Sequence, residues 1–161
     1  MNIRLDGRAA LITGGSEGLG KGMALRFAES GADIAILARR PDALNAAKAE
    51  IEAVSKGKVI TLPCDLLDGA ATKAAFAEAN AALGKIDILV NNAGTSRAKA
   101  FDTVTDEEWE EDLELKLMAA IRLCRAALPG MKERKWGRII NVLNIGAKAP
   151  RAGSAPTAVS R

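Results

Sequence analysis

The sequence contains neither histidine nor tyrosine. A side chain that exchanges protons in a reaction must therefore be Asp, Glu, Lys or Cys, unless water supplies the proton. A Ser-His-Asp triad, a Cys-His pair and a metal site with histidine ligands are all excluded. These absences remove the commonest hydrolase and metalloenzyme classes, and no metal cofactor is expected.

Cysteines, aromatic rings and long apolar runs are also scarce. Two cysteines are too few for the disulfide framework of a small secreted domain. Aromatic residues make up 3% of the chain, and 23 basic residues are interleaved with 20 acidic ones, unlike a nucleic-acid-binding surface. Apolar segments such as residues 86–90, which also contain Asp87, are too short to cross a bilayer. The charged residues Arg4, Asp6 and Arg8 near the start are not typical of a secretory leader. The sequence predicts a cytoplasmic protein with no nucleic-acid or membrane partner.

The 161 residues are 48% hydrophobic, which favours one domain, residues 1–161, with a buried core. Short β-like runs alternate with longer helical patterns, which indicates parallel strands joined by helical crossovers. The predicted fold is α/β, a Rossmann-like doubly wound parallel sheet of five strands. The predicted strands are residues 8–13, 33–38, 58–62, 86–91 and 138–143, and the predicted helices are residues 19–30, 41–55, 69–83 and 105–132.

The last predicted helix begins with a capping box at residues 105–108. Apolar residues then recur at helical spacing, which predicts one buried stripe along the helix. The stripe consists of Trp109, Leu113, Leu117, Ala120, Cys124 and Leu128.

A glycine-rich loop, residues 13–20, joins the first predicted strand to the first helix. Glycines allow a sharp turn and a close approach to a ligand, and the helix N-terminus offers free N–H groups to a phosphate. Two phosphate sites are possible. Residues 15–21 match the spacing of a P-loop, but Gly22 stands where Ser or Thr would hold Mg²⁺. The loop therefore favours a dinucleotide.

The end of the second strand favours NADP over NAD. In dinucleotide-binding folds a residue about 20 positions after the glycines contacts the adenosine ribose. Here Arg39 and Arg40 follow Ala38 at that place. Arginine suits a 2′-phosphate, whereas an acidic residue would bind a free 2′-hydroxyl. Glu17 weakly opposes this preference because it adds negative charge near the same phosphate.

Several motifs resemble the short-chain dehydrogenase/reductase family, classical type. Residues 13–20 fit its TGxxxGxG pattern, residues 91–94 are similar to its NNAG motif, and residues 136–142 look like its fifth strand. The resemblance implies seven strands in a complete member, whereas five are predicted here. Residues 157–161 align with the YxxSK that begins the next family helix. The chain is therefore expected to be incomplete at its C-terminus.

The resemblance implies a nicotinamide cofactor, a small carbonyl or alcohol substrate, and a homodimer or homotetramer. Asp65 looks like the aspartate that contacts adenine in this family. The expected cofactor-binding residues are Gly14, Ser16, Glu17, Gly18, Leu19, Gly20, Arg39, Arg40, Asp65, Leu66, Asn92, Ala93 and Gly94.

The four catalytic positions of the family are all substituted. Its tyrosine, lysine, serine and asparagine correspond here to Thr157, Arg161, Asn144 and Lys116. A threonine hydroxyl does not ionise near neutral pH, and an arginine stays protonated. Asn144 can still donate a hydrogen bond to a carbonyl oxygen, and Lys116 is ionisable.

Two functions fit these residues. The first is an NADP(H)-dependent oxidoreductase that interconverts a carbonyl and an alcohol by hydride transfer, with Lys116, an acidic side chain or water as proton donor. The alternative is a non-catalytic NADP-binding protein of the same fold that acts as a partner subunit. For residues 1–161 alone, little activity is expected.

Overall fold

The computed structural model describes residues 3–160 and consists of a central parallel sheet between two layers of helices. The strands of the sheet are β1 (Ala9–Thr13), β2 (Asp33–Ala38), β3 (Val59–Pro63), β4 (Ile88–Asn91) and β6 (Arg138–Asn141). They lie in the order β3-β2-β1-β4-β6, which confirms the predicted fold class. The helices around it are α1 (Gly18–Glu29), α2 (Pro41–Glu52), α3 (Gly69–Leu83), α4 (Asp106–Leu113) and α5 (Ala119–Glu133).

The central strands are apolar on both faces because helices cover both sides of the sheet. All five residues of β1 are buried, and β1 pairs in parallel with both β2 and β4. Continuous apolar runs are typical of parallel strands with two covered faces. On one face the core packs against α1 and α2, and on the other against α3 and α5.

Local signals set the helix boundaries. Asp68 caps α3, since its carboxylate accepts hydrogen bonds from the backbone N–H groups of Ala70 and Ala71 at 2.8 and 3.0 Å. These bonds lower the pKa of Asp68. Gly84 ends α3 in the left-handed conformation, with φ of 78°. The predicted bounds of β2 and α3 coincide with the observed ones.

The long predicted helix is interrupted by a π-turn, Glu114–Met118, between α4 and α5. Here the N–H of Ala119 donates to the carbonyl oxygen of Glu114, five residues earlier. Such wide turns are rare and occur often at functional sites. The capping box at Thr105 and Glu108 is present, as predicted.

The predicted apolar stripe on this helix is wrong. Leu117 is 45% exposed and Leu128 is 39% exposed. The buried face lies one position earlier and includes a charged pair, Asp112 and Lys116, which neutralises itself and so tolerates burial. A stripe selected by apolarity therefore misses it. The buried residues are Asp112, Lys116, Ala119, Leu123, Ala127 and Met131.

Two short strands outside the main sheet were not predicted. They are β5 (Ala98–Lys99) and β7 (Ala155–Pro156), which pair antiparallel. A short helix, α6 (Thr157–Ser160), follows β7 where an irregular loop was expected. This pairing positions α6 beside α4. Among residues 3–160, no helix combines the length and apolarity needed to cross a membrane.

Candidate functional site

The glycine loop forms a turn that only glycines adopt easily. Gly14 and Gly18 have φ angles of 63° and 53°, in the left-handed region. Helix α1 begins at Gly18, and no side chain caps its first N–H groups. These donors and the positive end of the helix dipole therefore face the loop.

Close packing explains two other glycines of the loop. A Cβ atom at Gly20 would collide with the carbonyl oxygen of Gly14 and would lie 2.6 Å from Nδ2 of Asn92. A Cβ atom at Gly15 would lie 2.5 Å from Cγ2 of Ile36. At these two positions the loop packs against β2 and against the residue after β4 without space for a side chain.

Thr13 and Asn92 join the ends of β1 and β4. The Thr13 hydroxyl oxygen accepts hydrogen bonds from the backbone N–H groups of Asn92 and Ala93 at 2.9 and 3.0 Å. The Asn92 amide donates to the carbonyl oxygens of Thr13 and Gly14 at 3.0 and 3.2 Å. The residues from the TG and NNAG motifs therefore form one rigid unit at the carboxyl edge of the sheet.

A cleft of about 790 Å³ lies above this edge. All the expected cofactor-binding residues line it except Gly20 and Asp65. Gly20 is buried beneath the loop, and the Asp65 carboxylate accepts a hydrogen bond from the N–H of Leu67 at 3.1 Å, which holds the turn after β3. Six further residues line the cleft and were not predicted; all but Leu115, which lies in the π-turn, are near a strand end, and that position was the available signal. They are Leu37, Ala38, Cys64, Thr95, Leu115 and Val142.

The two arginines at the end of β2 have different surroundings. Arg40 forms an ion pair with Glu17 across the cleft, at 2.5 Å between Nη2 and Oε1, and both side chains are exposed. For Arg39, no ion-pair partner lies within residues 3–160. The Glu17 charge is thus directed at Arg40, and the Arg39 guanidinium contributes the unpaired positive charge at this end of the cleft.

Lys21 does not occupy the position that a P-loop requires. Its Nζ atom donates to both carboxylate oxygens of Glu50 on α2, at 2.8 and 3.0 Å. Lys21 is therefore directed toward α2 rather than into the loop. This contact does not support the P-loop interpretation.

A second group of polar side chains lies buried where α4, the π-turn and α6 meet; we call it the Lys116 cluster. Lys116 Nζ donates to Oδ1 and Oδ2 of Asp112 at 2.6 and 2.8 Å and to Oγ1 of Thr157 at 3.2 Å. Ser160 Oγ donates to Oδ2 of Asp112 at 2.6 Å. The side chains of Lys116 and Asp112 are 1% and 0% exposed. The cluster consists of Asp112, Lys116, Thr157 and Ser160.

The structure thus brings together two of the four expected catalytic positions, Lys116 and Thr157. Asn144 has a different contact, since its Oδ1 accepts from the N–H of Ala147 at 3.2 Å and caps a 3₁₀ turn, Ile145–Ala147. That turn packs beside Ala158 of α6. Arg161 lies outside the described residues.

Asp112 and Ser160 were missed in the sequence. The spacing of Asp112 and Lys116, four residues apart on one helix, was an available signal for an ion pair. Their burial was not predictable, because exposed pairs at this spacing are common. Ser160 is 48 residues from Asp112 along the chain, so only the fold brings them together.

Arg97 connects the cluster to the cleft loop. Its backbone N–H donates to Thr157 Oγ1 at 3.0 Å. Its guanidinium donates to both carboxylate oxygens of Glu111 at 2.6 and 2.7 Å, and this bonding raises the pKa of Arg97. The loop is thus attached to α4 by a bidentate ion pair.

A second cavity, of about 420 Å³, is bordered by Lys116 and Ser160. It shares Leu66, Ala93, Leu115 and Val142 with the cleft above the sheet edge, so the two spaces adjoin. The chemistry available here is therefore an anion-binding backbone turn next to a buried ammonium group.

The comparisons with known proteins agree with this geometry. The model of the short chain dehydrogenase family matches residues 8–160. The chain belongs to that family. D-beta-hydroxybutyrate dehydrogenase of Cupriavidus necator is 40% identical over 139 residues, which are 86% of this chain and 53% of the relative. The chain spans about half the length of the curated relatives it matches.

Two solved structures are similar to this chain in fold. L-sorbose reductase from Gluconobacter frateurii, complexed with NADPH and L-sorbose, has a TM-score of 0.94 and 34% identity. The match covers 99% of this chain and 61% of the reductase. A 7α-hydroxysteroid dehydrogenase complexed with NADH has a TM-score of 0.92 and 32% identity, and the match covers 99% of this chain and 62% of that protein.

Proposed function

We propose that this chain is part of an NADP(H)-dependent oxidoreductase that interconverts a carbonyl and an alcohol on a small molecule. The observation that carries the cofactor preference is the Arg39 guanidinium, exposed at the end of β2 and lining the cleft. No other residue in 3–160 forms an ion pair with it. A 2′-phosphate would give this guanidinium an anionic partner.

The cleft fits a dinucleotide on two grounds. The left-handed glycines Gly14 and Gly18 leave the backbone accessible, and a Cβ atom at Gly18 would point into open space. The uncapped N–H groups of α1 suit a diphosphate. When bound, the cofactor supplies the hydride. The solved relatives contain NADPH in one case and NADH in the other, so the family context admits both cofactors.

The residues of this chain also supply candidates for the substrate side. Lys116 is an ionisable group bordering the second cavity, which adjoins the cleft, and the Asn144 side chain offers an amide N–H donor for a carbonyl oxygen. Neither of these two roles, proton exchange or hydrogen bonding to the carbonyl oxygen, needs a tyrosine side chain. The substituted positions are therefore compatible with a proton donor other than a phenol.

A cofactor titration tests the proposal. We expect NADPH to bind at least about tenfold more tightly than NADH, since a charge-assisted contact contributes about 1.5–3 kcal/mol. Fluorescence titration of both cofactors measures this ratio. Arg39→Ala should reduce it toward one, whereas the exposed Arg26→Ala on α1 should leave it unchanged. Equal affinities in the unmodified protein would contradict the proposal.

The non-catalytic alternative shares the cofactor preference and differs in turnover. Tight NADPH binding without reduction of any ketone in a broad panel would support a binding subunit instead. The proposal also includes a cytoplasmic homodimer or homotetramer. The outward-facing Leu117 and Leu128 on the long helix support an interface there, and light scattering measures the subunit number.

A further inference from the structure

The Lys116 ammonium is fixed in place by a buried carboxylate. Lys116 Nζ donates hydrogen bonds to Oδ1 and Oδ2 of Asp112 at 2.6 and 2.8 Å. Both side chains are almost fully excluded from water. The opposite charges compensate each other, which allows a charged lysine to remain inside the protein.

Asp112 is itself held by a second donor. Its Oδ2 atom accepts the Ser160 hydroxyl at 2.6 Å in addition to Lys116. Since Ser160 belongs to α6 and Asp112 to α4, the carboxylate is anchored to two elements. Lys116 therefore has one well-defined position relative to α6.

Thr157 is placed so that its hydroxyl acts as a donor. A hydroxyl oxygen has two acceptor sites and one hydrogen. Both acceptor sites are occupied, by the Arg97 N–H at 3.0 Å and by Lys116 Nζ at 3.2 Å. Among residues 3–160, no acceptor is bonded to the Thr157 hydrogen. The hydrogen is thus left for an oxygen that the described residues do not provide.

The cluster adjoins the place where a substrate would lie. The loop that lines the cleft with Gly94 and Thr95 continues to Arg97, whose N–H contacts Thr157. Leu115, next to Lys116 in the chain, lines both the cleft and the second cavity.

We propose that Lys116 and Thr157 form a proton relay, in which the Thr157 hydroxyl donates to the substrate oxygen and Lys116 donates to Thr157. Asp112 is a positioning residue that acts through Lys116. This inference rests on the proposed oxidoreductase function and names its proton donor. It differs from a phenol donor because threonine passes a proton on without ionising beforehand.

The proton and electron balance is as follows in the direction of reduction. As the substrate carbonyl carbon gains a hydride from the reduced nicotinamide, the π electron pair moves to the carbonyl oxygen. That oxygen takes the Thr157 hydroxyl proton while Thr157 Oγ1 takes a proton from Lys116 Nζ. Lys116 is left as a neutral amine beside Asp112, and a proton from water restores the ammonium. Alcohol oxidation follows the reverse sequence.

The first test does not depend on turnover. In protein labelled with ¹⁵N-lysine, we expect one ammonium signal protected from exchange with water, absent in Lys116→Met. Thr157→Val should shift this signal because it removes an acceptor, whereas the exposed control Thr103→Val should not. An ammonium signal insensitive to Thr157→Val would overturn the contact on which the relay depends.

The second test measures turnover with NADPH and three ketones, namely acetoacetate, cyclohexanone and L-sorbose. Thr157→Val should lower kcat about 10²-fold or more and leave the Kd of NADPH unchanged. Thr157→Ser, which keeps a hydroxyl, should recover most of kcat. Because serine also keeps the acceptor for Arg97 and Lys116, this rescue shows that a hydroxyl is needed, and the comparison with the double variant of Asp112 and Lys116 tests the relay itself.

Lys116→Met leaves the Asp112 carboxylate buried without a counter-charge, so the double variant Asp112→Asn with Lys116→Met guards against misfolding. We expect it to lose as much kcat as Thr157→Val, and adding Thr157→Val to it should change little. The relay would be overturned, and the proposed activity would not, if Thr157→Val kept its kcat. The same conclusion would follow if the kcat losses of Thr157→Val and of the double variant multiplied when the three substitutions were combined. NADPH binding without reduction of any ketone would overturn the relay and the proposed activity together.

Discussion

The cleft and the Lys116 cluster lie side by side, but the first is formed mainly by backbone groups and the second by side chains. The cleft is formed mainly by backbone, with left-handed glycines, uncapped N–H groups and the paired ends of β1 and β4. The cluster is formed by side chains, with one ion pair and two hydroxyl groups excluded from water. The cleft therefore depends on the backbone conformation, and the Lys116 cluster depends on the pairing of buried charges.

This difference determines how each site responds to substitution. A backbone site is damaged by adding atoms, because the glycines pack against carbonyl oxygens and neighbouring side chains. A buried charge pair is damaged by removing atoms, because the remaining charge has lost its compensation. Three predictions follow this contrast in order of decreasing effect on stability.

Loss of one partner of the charge pair should have the largest effect. Lys116→Met should lower the free energy of unfolding by about 3–5 kcal/mol, the usual result when a buried ion pair is broken. Removing both charges with Asp112→Asn should recover much of this loss. Urea unfolding measures both variants, and the exposed Lys73→Met on α3 is the matched control. An equal loss of unfolding free energy in Lys73→Met would contradict the conclusion that burial of the Lys116 charge causes the effect.

Addition of one methyl group to the cleft should have an intermediate effect. Gly20→Ala should lower the free energy of unfolding by about 1–3 kcal/mol through overpacking, since its Cβ would collide with the Gly14 carbonyl oxygen. NADPH binding should weaken as well. Gly22 is two residues further along α1, and a Cβ atom there would meet no other atom within contact distance. Gly22→Ala should instead stabilise α1 by about 1 kcal/mol. Thermal unfolding of both variants measures the difference, and similar destabilisation would contradict the packing argument.

An exposed charge should have the smallest effect and should depend on pH. Backbone hydrogen bonds lower the pKa of Asp68 from its ordinary value of 3.8. The unfolded chain therefore binds this proton first as the pH falls. The contribution of Asp68 is complete above the unfolded pKa and is lost as the pH falls through the lowered folded pKa. Asp68→Asn keeps a capping group without titrating, so its Tm difference from the unmodified protein should shrink below about pH 4. A difference independent of pH would contradict this assignment.

Local signals made much of the fold predictable. Asp68 caps the start of α3, and Gly84 ends it. The glycine loop lies between β1 and α1, as its motif predicts. The cleft was predictable for the same reason, since its residues follow strand ends. Gly20 and Asp65 do not line the cleft: Gly20 is buried in α1, and the Asp65 carboxylate accepts a hydrogen bond from the Leu67 N–H of the adjacent turn.

The cluster was not predictable in the same way. Its partners Asp112 and Ser160 are far apart in sequence, and apolarity selected the wrong face of the long helix, through Leu117 and Leu128. A polar pair is recognised as buried only when the elements that cover it are known. The unpredicted pairing of β5 with β7 supplies that cover by fixing α6.

The wide turn at Glu114–Met118 has an evolutionary consequence. A helix advances about 100° per residue, so deleting a single codon from this segment would leave a regular helix whose first half is rotated by that angle. Asp112 would then rotate away from Ser160 of α6, while composition and length stayed almost unchanged. Gain or loss of the charged cluster is thus within reach of one insertion or deletion event, without any point substitution.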